Sequence, residues 1–194
     1  MKPEQLYSAG AVAGTLGGGG IVLLDLAQIA TNVPRTTVGL VEIPITILVL
    51  LALPALYARQ AERAGVLGLA GFVLAFAGVA LGMGYFYLMA FVRPVLDQGW
   101  PPAAEAVSAA AGVMEPFEGL TFVLGWVIFA VATLRARVFP RVAASLIIVG
   151  IVLVVTRELL PVRGPLGGAL MGLGITWLSV ALFRIAAGRP SRFE

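Results

Sequence analysis

The 194-residue chain has no cysteine and no histidine. Without thiols there is no disulfide framework and no thiolate chemistry, and the redox compartment leaves no mark. Without imidazole, a bis-histidine haem, an imidazole zinc site and a histidine-based nucleophile relay are excluded. Charge is scarce too: only 12% of residues are charged, and Lys2 is the single lysine among thirteen basic residues. A soluble chain of this length needs a far more polar surface. Enzyme motifs are also lacking. The run Gly14–Gly20 has no lysine after it, so it is no phosphate-cradling loop. There is no Gly-x-Gly-Asp motif, and no carboxylate spacing indicates a metal site. No enzyme and no cofactor are expected.

What is abundant is apolar sequence: 60% of residues are hydrophobic and the mean hydropathy is +1.00. Residues 64–92 form the dominant stretch, 29 residues without a charge, bounded by Arg63 and Arg93. About 20 residues suffice for a helix to cross a bilayer core. Gly71, Ala75, Gly78 and Gly82 recur at 3–4 spacing along this run. Such a small-residue stripe lets backbones approach, which places this helix at the centre of a bundle. Further apolar runs predict helices over 6–31, 39–57, 118–134, 142–160 and 165–187. The fold class expected is an all-α polytopic membrane protein, with six transmembrane helices in one bundle forming a single domain, 1–194.

Local punctuation refines this outline. The glycines 17–20 in the first helix are either a face for tight contact or a break lining a cavity. A signal peptide is the alternative for this segment, but the run is long and carries Asp25. Pro44 falls in the first turn of the second helix, and Pro54 is placed to kink its far end. Residues 58–63 read as a short basic loop, and 94–117 as a long external loop whose alanine-rich part, 103–113, forms a short surface helix. Glu42 and Arg59 frame the second helix at the same separation as Glu118 and Arg135 frame the fourth, a shared charge frame without matching residues between.

Six helices put both termini on one side. That side holds Lys2, Arg59, Arg63, Arg135, Arg137, Arg141, Arg184, Arg189 and Arg192; the other holds Arg35, Arg93, Arg157 and Arg163. The positive-inside bias therefore predicts cytoplasmic termini in a bacterial inner membrane. Scattered basic residues of this kind argue for a lipid bilayer and against nucleic acid as partner.

Ionisable groups at membrane depth are functional candidates by default. The outer half gathers Asp25, Gln28 and Asn32 on one helical face, with Glu42, Arg93, Glu118, Arg157 and Glu158 at neighbouring helix ends. These define a candidate outward-facing ligand site built on Asp25, Gln28, Glu42, Arg93, Glu118 and Arg157, with Asp25 paired to Arg93 or Arg157. The plainer reading is helix-end anchors and snorkelling arginines. Trp126 and Trp177 read as core bulk.

The segment 53–76, with Leu-Tyr-Ala-Arg-Gln and Gly-Leu-Ala-Gly-Phe, resembles a group of small uncharacterised bacterial integral membrane proteins, and implies no activity. Six spans with cytoplasmic termini also resemble the substrate-binding S-components of energy-coupling-factor transporters. That resemblance implies docking through an Ala-xxx-Ala pattern, here Ala9 and Ala13. The expected function is a non-enzymatic integral membrane subunit, acting by helix packing with partner subunits or as a homo-oligomer. The alternative is small-solute binding or transport at the outer polar site.

Overall fold

The computed structural model describes residues 3–31, 33–157, 160 and 162–188. Among them the chain is all-helical. Helix α1 spans Pro3–Ala30, α2 Arg35–Tyr87, α3 Arg93–Gly99, α4 Pro101–Ala136, α5 Arg141–Val155 and α6 Arg163–Ala186, with a π-helical turn at Leu88–Val92 between α2 and α3. Helices α1, α2 running on through α3, α4 and α6 are long and apolar enough to cross a membrane. With 15 residues, α5 is about 22 Å long, below the ~30 Å of a bilayer core.

Two separate helices are expected over 39–57 and 64–92, and two arms are found; what differs is the connection, because helix continues through 58–63 and the chain turns at a single residue. Gly65 has φ 56° and ψ −150° inside α2. That conformation is essentially confined to glycine. The two arms fold back on each other there. Tyr57 stacks on Phe72 with ring centroids 4.8 Å apart, and Gly39 packs against Ala90. Both pairs lie symmetrically about Gly65, as antiparallel arms require. The basic segment 58–63 is thus helical, not a loop, because its alanine, arginine and glutamate residues are good helix formers and one glycine suffices for the reversal.

The expected external loop 94–117 is likewise helical. Pro101 and Pro102 sit in the first turn of α4, where a missing N–H costs nothing. The alanine-rich stretch that follows belongs to α4 rather than to a separate surface helix. Pro44, Pro54 and Pro116 all lie inside helices, and Gly65 is the only interior residue of α2 with non-helical angles, so Pro54 does not break it.

Small residues set the packing of the arms. Along α1, Gly10, Gly14, Gly17 and Gly20 meet Ala55, Ala52, Val49 and Ile45 of α2 in descending order, an antiparallel pair. On its other side Gly18 meets Gly172 and Thr176 of α6. Gly19 faces open space. The helix runs unbroken through all four glycines, so the run is a contact face. The stripe Gly71, Ala75, Gly78 and Gly82 meets Phe129, Gly125, Phe122 and Glu118 of α4, again antiparallel. Gly150 of α5 meets Gly167 and Met171 of α6. The core unites Leu53, Leu56, Trp126, Phe129, Ile147, Ile175 and Leu178, contributed by α2, α4, α5 and α6.

The second arm of α2 is not at the centre. Its stripe is covered by α4, but Val66, Leu69, Val73 and Phe76 on the reverse are exposed. Helix α6 lies between α1 and α5: Gly172 meets Gly18 and Ile21, Gly174 meets Ala143 and Ile147, and Ile175, Leu178 and Leu182 are buried.

Candidate functional site

Antiparallel packing brings two sets of polar residues to opposite ends of the bundle. At one end lie the finish of α1, the start of α2, the upper part of α4 and the start of α6. Here the predicted residues Asp25, Gln28, Glu42, Glu118, Arg157 and Arg93 share an end without forming one pocket. Gln28 Nε2 donates to Asp25 Oδ1 at 3.2 Å, and the Asp25 carboxylate packs into the space left by the missing side chain of Gly168 on α6. Glu42 lies within electrostatic reach of Asp25. The arginines expected to pair with Asp25 have other carboxylates: Arg93 Nε lies 3.7 Å from Asp97 Oδ2 and Arg157 Nη2 3.8 Å from Glu115 Oε1. These are exposed helix-surface pairs of small energetic weight. Glu118 packs over Gly82 of α2, with Oε1 2.9 Å from where a Cβ would stand. Asn32 and Glu158 lie outside the described residues.

The reason for the separation is steric. Gly168 admits a carboxylate from α1 directly onto α6, and the small stripe of α2 admits Glu118 from α4. Each acid is met by a neighbouring helix before it can reach a common centre. Neither main cavity of the bundle contains Asp25, Arg93 or Arg157. One, of about 640 Å³, is an apolar groove between the end of α2 and α4, lined by Leu81, Tyr85, Leu88, Val107 and Met114 and bordered by Glu118.

The other cavity, of about 500 Å³, lies at the opposite end, where sequence reasoning placed only topological charges. The start of α1 supplies Tyr7, α2 supplies Arg59, Gln60, Glu62 and Arg63, and the α4–α5 turn and the end of α6 supply Arg137 and Arg184. Arg137 closes α4 in the left-handed conformation, φ 53° and ψ 32°. Gln60 is 1% exposed. Its Nε2 donates to Thr133 Oγ1 at 3.0 Å, and Thr133 Oγ1 donates to the Phe129 carbonyl at 2.8 Å. Its Oε1 is buried without a hydrogen-bond partner. The signal that could have revealed this site is the density of arginine just before the α2 bend, at Arg59 and Arg63 around Gln60, and around the α4–α5 turn, at Arg135, Arg137 and Arg141.

Among the described residues no group of three or more acidic residues is arranged to hold a metal ion. Trp126 is fully buried between Phe122 and Phe129, and Trp177 packs on the core. No family model, curated protein or solved structure matches the chain. Of the proposed docking pair, Ala9 is exposed while Ala13 is 8% exposed, so the two do not present a shared free face.

Proposed function

We propose that the chain is a non-enzymatic integral protein of a bacterial cytoplasmic membrane that acts by helix packing, with partner subunits or with copies of itself. The six crossings of this reading are α1, the two arms of α2, the lower part of α4, α6 and the shorter α5, whose 15 residues require the bilayer to thin locally around it. Both termini lie with the arginine-rich end in the cytoplasm. The observation that carries the reading is an uncovered apolar helix face. On α4, Val113, Phe117 and Leu120 are 77%, 60% and 59% exposed. Gly112 and Gly119 beside them have no neighbouring atom where a side chain would stand. A glycine facing nothing gains no packing in the isolated chain, whereas close approach of another helix gives it a role.

Native mass spectrometry from lipid nanodiscs tests this. An oligomer or a stoichiometric partner is expected, and Gly112→Trp with Gly119→Trp should dissociate it while leaving the monomer's thermal stability intact. A parent chain that is monomeric and unaccompanied would overturn the reading. Solute binding at the outer polar cluster has less support, because Asp25, Arg93 and Arg157 each meet a local partner.

A further inference from the structure

Three features of the arginine-lined cavity exceed what membrane topology demands. A basic flanking surface needs arginines near lipid headgroups, but it needs no pocket between three helix ends and a turn. It also needs no buried amide with an idle acceptor. Gln60 lines the cavity with Oε1 buried and unpartnered, an uncommon condition in native structures that calls for a cause. Finally, a helix end in the left-handed conformation favours glycine. Arginine at Arg137 accepts that cost and thereby brings a guanidinium to the rim. Strain at a polar cavity points to function.

Charge and hydrogen bonding then select the ligand. Arg59, Arg63, Arg137 and Arg184 face Glu62 alone as acid on the lining, and none of the four has an ion pair among the described residues. Guanidinium forks bind phosphate bidentately. The Tyr7 hydroxyl on the same lining adds a neutral donor for a further phosphate oxygen. We propose that this cavity binds a phosphate ester, held by the four arginines. Free glycerol phosphate and the headgroup of phosphatidylglycerol share that chemistry.

The test uses the full chain in nanodiscs, read by thermal unfolding and by titration. In phosphatidylcholine discs, added glycerol phosphate should raise the unfolding midpoint if the ligand is soluble. If the ligand is lipid, only discs containing phosphatidylglycerol should do so. Arg59→Gln combined with Arg184→Gln should weaken the responding probe about tenfold or more, as loss of charge-assisted hydrogen bonds does. Arg135→Gln, at the same end but off the lining, should not. Arg137→Gly separates binding from folding, because relieving the left-handed strain should raise the ligand-free midpoint while weakening the probe. No response to either probe would overturn the proposal. So would an Arg137→Gly variant that binds like the parent, or an Arg135→Gln variant that loses as much as the double variant.

Discussion

At the scale of single residues, glycine contacts divide sharply into those that hold helices together and those that touch nothing. A Cβ at Gly125 would collide with the backbone of Leu74 and Ala75, and one at Gly78 with the backbone of Phe122 at 2.5 Å. Gly78→Leu should therefore cost at least the ~1–3 kcal/mol of an overpacked core, because backbone cannot rotate aside. Gly19 has open space around it. Gly19→Ala should be neutral or stabilising by up to about 1 kcal/mol through helix propensity alone. Thermal unfolding of the two variants side by side checks the contrast; equal tolerance would mean that α2 and α4 do not meet at this face. Asp25 belongs to the same scale. Its partner is the Gln28 amide rather than an arginine. Asp25→Asn should thus be nearly silent in stability, while Asp25→Leu should lose about 1 kcal/mol for the abandoned hydrogen bond. A loss of several kcal/mol in the leucine variant would instead indicate an arginine left uncompensated, as a broken buried pair does.

At the scale of elements, the decisive feature is the reversal of α2 at Gly65. In a straight helix Gly39 and Ala90 would stand about 77 Å apart; here they touch. Cysteines placed at Tyr57 and Phe72, whose rings stack across the same two arms, should cross-link with a short bifunctional thiol reagent, a clean assay because the chain has no cysteine of its own. Failure to cross-link within one chain would refute the fold-back. Gly65→Ala should cost roughly 1–3 kcal/mol through backbone strain, although no atom crowds the site. Much of the element layout was legible. Apolar runs without charges located the helical arms, and 3–4 spacing picked out the face of α2 that α4 covers. The boundaries were not legible, because polar residues suit a loop and an exposed helix turn equally well. Arg59, Glu62 and Arg63 are as content in a helix as in a loop, and only the angles of Gly65 decide where the chain turns. Likewise Pro101, Pro102 and Pro116 looked like breakers, but the first two occupy a helix start and the third is absorbed within α4. The outer polar residues share one end, but not the pairing that their spacing suggests. Their local partners depended on Gly168 and Gly82, whose distant neighbours no spacing reveals. The arginine cavity stayed hidden for the same reason: Arg59, Arg137 and Arg184 are far apart in sequence and meet only through tertiary packing.

At the scale of the whole molecule, the antiparallel order of the arms has one consequence that organises everything else. The start of α1, the bend of α2, the α4–α5 turn and the end of α6 surround one cavity. The tip of the α3–α4 hairpin, at Trp100, lies at the other end. In the proposed topology these two ends face different compartments, with the cavity end on the cytoplasmic side that the positive-inside bias favours. Single cysteines at Ser108, near the hairpin tip, and at Arg63, beside the bend, report this directly with a membrane-impermeant thiol reagent. The account predicts that S108C labels in intact cells and R63C only after the membrane is permeabilised. Labelling of both positions in intact cells, or of R63C alone, would contradict it.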